Sequence, residues 1–159
     1  MKKTTIIAII TALFALGCIE MCSAQQKTAS GTKSESTGTK SPKVRELNET
    51  EFSTLVADYT SQTWSFKGKR PAIVDFSATW CGPCQRLSPI LEELAKTYNG
   101  KIDFYKVDVD KCPNLSRAYG VSSVPMMIFC PLEGKPTAVT GLYPKEELVK
   151  AIEYVFKIK

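Results

Sequence analysis

Cys81 and Cys84 are the residues best equipped for chemistry, spaced by Gly82-Pro83 and preceded by Trp80. Two thiols at this spacing can close a small disulfide across one helical turn, hold part of a zinc site, or exchange disulfides with another protein. The short apolar run at 71–76, just upstream, reads as a buried strand. Downstream, apolar residues at 87, 90, 91, 94 and 95 form a helical stripe over 85–98. The cysteines therefore fall where a strand gives way to a helix. Unpaired N–H groups and the helix dipole favour a thiolate there. A thiolate attacks disulfides at neutral pH, and a second thiol nearby can resolve the mixed disulfide. The first reading is thiol–disulfide exchange.

Composition narrows the alternatives. The chain has 159 residues, room for one ordinary domain plus extensions, and contains no histidine. That removes Ser-His-Asp and Cys-His catalysis, histidine metal ligands and the usual neutral-pH proton shuttle. A zinc site would need Cys112 and Cys130, each lying outside any second C-x-x-C. Their expected places disagree as well. Cys112 follows a strand at the end where Cys81 sits, whereas Cys130 ends a strand running away from it, which also argues against a bridge between the two. Cys130 is read as a buried small hydrophobe and Cys112 as a helix-start residue. No metal and no cofactor are expected. The net charge of +5 is spread through the chain, so no nucleic-acid partner is expected either.

Several elements must position the cysteines. An edge strand is expected at 44–47, followed by Asn48 and, three residues on, Glu51, a capping-box pattern. Phe52, Leu55, Val56 and Tyr59 carry that helix to about Tyr59. The polar stretch 60–70 holds Trp64 and Phe66 as packing residues of a loop. Asn99-Gly100 stops the helix that follows the cysteines, and 101–109 reads as a largely buried strand. A short helix ends before Gly120, a strand covers 126–130, and a turn at 132–135 leads to a partner strand at 136–141. Leu148, Val149, Ile152, Val155 and Phe156 give an amphipathic final helix over 145–156. The order β-α-β-α-β-α-β-β-α implies a parallel core with helices on both faces, closed by an antiparallel hairpin.

The N-terminus reads as an export signal. Met1-Lys2-Lys3 precedes an apolar run at 6–16 that is short for a membrane span, and Cys22-Ser23-Ala24 places small residues for cleavage after Ala24. Leu16-Gly17-Cys18 offers an alternative, since it resembles a bacterial lipobox in which Cys18 would carry a lipid anchor. Residues 25–43 are rich in Ser, Thr, Lys, Gly and Gln and read as a flexible linker. The expected organisation is a signal peptide at 1–24, that linker, and one domain at 44–159.

Taken together, Val74-Asp75-Phe76, the run from Ala78 to Cys84, Pro89, Lys106-Val107-Asp108 and Val124-Pro125 resemble the thioredoxin family. The resemblance covers about 44–159 and implies an α/β fold, a central mixed five-stranded sheet flanked by four helices. It also implies roles. Cys81 resembles the attacking cysteine, the more exposed of the pair, whose pKa in thioredoxin itself is about 7 against about 8.5 for free cysteine. Cys84 resembles the resolving cysteine, forming with Cys81 the redox-active disulfide. Asp75 is the candidate to take the Cys84 proton, because an Asp in an apolar strand is costly to bury and its pKa should rise. Lys106, on the neighbouring strand, would tune Asp75. Pro125 resembles the family's cis-proline facing the disulfide and would present the Val124 backbone to an extended substrate. Trp80, Gly82, Pro83 and Gly141 complete the expected substrate-facing surface. Pro89 should kink its helix. The sequence departs from the family at Ser123, where a glycine is frequent.

Gly-Pro between the cysteines resembles the reducing members of the family. Thioredoxin has a potential of about −270 mV and the oxidant DsbA about −120 mV, a gap of roughly 7 kcal/mol. The expectation is a protein-disulfide reductase or isomerase acting on disulfide-containing exported proteins in a bacterial periplasm, re-reduced by a membrane electron donor. Two alternatives stand beside it. One is a dedicated reductase for a single partner, as in cytochrome maturation, although no C-x-x-C-H occurs. The other is a holdase that binds clients without turnover.

Overall fold

The computed structural model describes residues 43–158. Nine elements follow in the expected order: β1 (Arg45–Glu46), α1 (Glu49–Leu55), β2 (Ala72–Ser77), α2 (Gly82–Thr97), β3 (Asp103–Asp108), α3 (Pro113–Ala118), β4 (Met126–Cys130), β5 (Thr137–Thr140) and α4 (Lys145–Phe156). The sheet order is β1-β3-β2-β4-β5. β1 and β2 both run parallel to β3, whereas β4 is antiparallel to β2 and β5 to β4. This is the mixed five-stranded sheet with four helices.

β2 sits at the centre, and its alternation decides what lies on each face. Val74 and Phe76 join Phe52, Val56, Val107, Leu115 and Ile128 under α1 and α3. Ile73 joins Leu87, Leu91, Leu94, Met127, Phe129, Leu148 and Ile152 under α2 and α4. Every residue of β2 is buried, as a central strand covered on both faces must be. Asp75, two residues from Ile73, therefore projects to the α2 side of the sheet.

Local signals account for the element ends. Asn48 Oδ1 accepts the Glu51 N–H at 2.9 Å while Glu51 Oε2 accepts the Asn48 N–H at 3.1 Å, a complete capping box. α1 stops at Leu55 rather than Tyr59. The chain turns there because the Lys67 N–H takes the Val56 carbonyl, while Tyr59 spends its hydroxyl on Glu49. Gly100 follows α2 at φ 78°, a conformation that favours glycine. α2 continues through Pro89 as one helix. Trp64 and Phe66 stack with centroids 6.3 Å apart and pack against the α1 face of the core, as expected. Three sequence-based strands prove longer than the observed ones. The stretch 44–47 contracts to Arg45–Glu46, 101–109 to Asp103–Asp108, and 136–141 to Thr137–Thr140. Among the described residues no helix is long and apolar enough to cross a membrane. The signal segment, the lipobox cysteine and most of the linker lie outside the described residues.

Candidate active site

β2 delivers the chain to the site at its C-terminal end, and the turn 78–80 hands it to α2. Cys81 occupies the N-cap of α2, Pro83 sits in the first turn, and Cys84 lies one turn in. Pro83 costs nothing at this position because its missing N–H would be unpaired anyway. Cys81 and Cys84 form a disulfide with Cα atoms 5.3 Å apart. The Cys84 N–H donates to Cys81 Sγ at 3.1 Å. The helix start thus aims an N–H at the first sulfur, the arrangement that stabilises negative charge there on reduction. In this oxidised form both cysteines are buried, Cys81 at 4% exposure remaining slightly more open than Cys84 at 2%. Ala78, Val109 and Val124 pack around the pair and cover it.

Asp75 is 1% exposed, and neither carboxyl oxygen has a hydrogen-bond partner. Burial raises its pKa from 3.8 to about 7, against the pull of the Lys106 ammonium. Lys106 is the direct register partner of Asp75 on parallel β3 and is half-buried. Both line a cleft of about 190 Å³ with Ser88, Leu91, Glu92 and Glu46. Ser88 lies one turn beyond Cys84 on α2, so the cleft reaches the helical turn that follows the resolving cysteine. Its volume could hold several waters. A carboxyl that titrates near neutrality, without a fixed partner, can accept a proton and return it to water.

The Val124–Pro125 peptide bond is cis, and Val124 packs against the disulfide cluster. The Pro125 carbonyl accepts the Gly141 N–H at 2.8 Å, which brings β5's end beside it. Gly141 has φ 113°, so any other residue there would be strained. Trp80 is 68% exposed, its indole N–H held by Asp110 at 2.8 Å. Gly82 and Pro83 are exposed beside it. The structure thus brings Trp80, Gly82, Pro83, Val124, Pro125 and Gly141 to one rim around the disulfide, with Asp75 and Lys106 beneath. Cys112 and Cys130 stand apart as free, buried thiols. Cys112 starts α3, and Cys130 pairs with Ala72 at the far end of β2. Burial pushes the Cys130 thiol up to about 12. No metal-holding cluster occurs among the described residues.

Sequence reasoning missed Asp110, Ser88 and Leu142. Asp110 follows the C-terminal end of β3, which runs parallel to β2, so its nearness to Trp80 follows from the βαβ topology. Ser88 is four residues from Cys84, a spacing that was available on the helix. Leu142 is exposed next to Gly141 and had no such signal.

Comparison with known proteins agrees with this geometry. Residues 43–154 match the family model described as Thioredoxin. A thioredoxin of Borreliella burgdorferi is 48% identical over 111 residues, covering 69% of this chain and 95% of that protein. A Staphylococcus aureus thioredoxin is 46% identical over 82 residues, 51% of this chain and 78% of that protein. The chloroplastic thioredoxin M4 of Arabidopsis thaliana is 40% identical over 98 residues, 62% of this chain, and the match spans only 51% of that longer relative. Matched along most of its folded part, and carrying two cysteines joined at the start of α2 above a buried carboxyl, the chain belongs to the thioredoxin family of thiol–disulfide oxidoreductases.

Proposed function

We propose that the chain is an exported protein-disulfide reductase or isomerase that acts in the periplasm on disulfide-bonded clients. Cys81 thiolate attacks a client disulfide and forms a mixed disulfide, releasing one client thiolate. Asp75, as carboxylate, takes the proton of Cys84 through the cleft beside Ser88. The Cys84 thiolate then attacks Cys81 Sγ, closes the Cys81–Cys84 bond and releases the second client thiolate. Two electrons leave the protein dithiol for the client, and the Cys84 proton passes to water or the departing thiolate. Lys106 holds Asp75 within range of neutral titration. The client backbone runs along Val124 and Pro125, flanked by Trp80, Gly82, Pro83 and Gly141. Re-reduction falls to a membrane-embedded dithiol donor, because cytoplasmic reductant does not cross the membrane. Lipidation at Cys18 would tether the domain to that membrane, and cleavage after Ala24 would release it.

The observation carrying this reading is the unpartnered, buried Asp75 in a cleft that reaches Ser88, one turn past the resolving cysteine, which a merely structural disulfide would not require. Catalysis of insulin reduction by dithiothreitol tests it. Wild type should precipitate the insulin chains rapidly and Cys81→Ser should not. Equal inactivity of the two would remove the enzyme reading. Export is tested by N-terminal sequencing of the mature protein from the periplasmic fraction of an expressing bacterium. Gln25 as first residue supports cleavage, a lipid on Cys18 supports anchoring, and an intact Met1 in the cytoplasm refutes export.

A further inference from the structure

The end of the domain opposite the disulfide is strongly basic. β2 runs from Ala72 to Ser77, so its two ends lie about 17 Å apart. The loop 67–70 and the turn 99–102 meet at the Ala72 end, where β3 also begins. This pole displays Lys43, Arg45, Lys67, Lys69, Arg70 and Lys101, all exposed except the half-buried Arg70. Lys43, Arg45 and Arg70 line one shallow cleft there with Asn99 and Gly100. Lys67, Lys69 and Arg70 line an adjoining one of about 340 Å³. Glu51 and Asp103 neutralise Arg45 and Arg70 in ion pairs of 2.5 and 2.6 Å. Lys96 extends the basic face at the C-terminal turn of α2, as does Lys157 after α4. The disulfide end is mixed in charge: Asp108 and Asp110 follow there from β3 and Glu146 and Glu147 open α4, but Lys111 pairs with Asp108 and Lys150 with Glu147.

The described chain begins at this basic pole, with Lys43. Exposed Leu132 lies at the same end, in a groove shared with Pro71, Pro131, Val155, Lys157 and one anion, Glu133. Cations spread beside an exposed apolar side chain match the negative surface of a phospholipid bilayer. A nucleic-acid groove would call for stacking aromatics among the cations, and Tyr105 at 7% exposure is too buried to serve.

We propose that this pole binds anionic phospholipid headgroups and seats the domain on a membrane surface with the disulfide facing the aqueous side. The domain is oriented because, among the described residues, its surplus of unpaired lysines lies away from the disulfide end, whose charge is mixed. This inference concerns a surface remote from the thiols and goes beyond the redox reading.

Flotation of the full chain with vesicles tests it, using neutral phosphatidylcholine alone or with about 30% phosphatidylglycerol, at about 50 and 500 mM salt. Each lysine at a surface of this kind contributes about fivefold in affinity. The combined substitution Lys69→Gln, Lys96→Gln and Lys101→Gln should therefore weaken binding to the anionic vesicles by about 100-fold at low salt. Arg86→Gln, Arg117→Gln and Lys150→Gln, the same charge removed elsewhere, should weaken it by less than tenfold. Insulin reduction in solution should be equal for wild type and the Lys69 set, which separates this result from the redox reading. Equal losses in the two sets, binding that survives high salt or neutral vesicles unchanged, or tighter binding to duplex DNA than to vesicles would each overturn the proposal.

Discussion

Replacing Asp75 by Asn should remove a large, signed pH dependence from the stability of the oxidised protein. The unfolded chain ionises this carboxyl near 3.8, whereas the folded chain holds the proton to about 7. Between those values the folded state binds more protons, so stability falls as pH rises through the window. Below it both states are protonated and the group contributes nothing. Above it the whole difference is felt, which at about 1.4 kcal/mol per unit comes to about 4 kcal/mol. No discount for solvent screening applies, because the carboxyl is 1% exposed and unpartnered. Urea unfolding of wild type and Asp75→Asn at intervals from pH 4 to pH 8 measures this. The variant should gain on wild type progressively and lead by a few kcal/mol at pH 8. Other carboxylates act in the reverse direction: the Asn48 N–H and Arg45 hold Glu51 low, and Thr60 holds Asp58 low. They are common to both proteins and cancel in the difference. A difference that stays flat across the range would refute the burial argument and the proton-acceptor role built on it. In the same variant, insulin reduction should slow most at pH 7 and above, where wild type has its carboxylate.

Cys84→Ser should accumulate a covalent mixed disulfide with client through Cys81, visible as a mass increase lost on adding dithiothreitol, whereas Cys81→Ser should accumulate none. Asn48→Ala removes half of the capping box and should lower unfolding stability by about 1 kcal/mol without altering insulin reduction. Cys130→Ser places a hydroxyl at a site with no exposure and should cost about 1–3 kcal/mol in urea unfolding, with reductase activity at room temperature unchanged.

Much of the architecture could be read from side-chain periodicity. The run at 71–76 and the stripe at 87, 90, 91, 94 and 95 place the cysteines between β2 and α2, because burial on two faces and on one face leave different patterns. The capping box at Asn48 and the glycine stop at Gly100 are local chemistry, so they too were visible. Helix and strand ends elsewhere were less so. α1 ends four residues earlier than its apolar spacing suggests, since Val56 turns to meet Lys67, a partner eleven residues on that no local rule names.

By itself the sequence determined the reactive pair, the absence of histidine, the fold class and the family. Those depend on residue identity and on short spacings along one chain. Only the tertiary structure decided that both Cys81 and Cys84 are covered in the oxidised form. It also set Asp75 beside Lys106 in register, opened their cleft beneath Ser88, and aimed the Trp80 indole at Asp110. It alone gathered cations from 43 to 157 on one pole. Each of these depends on strands and helices distant in sequence meeting in space, and burial, the quantity that moves the Asp75 proton, exists only once they have met.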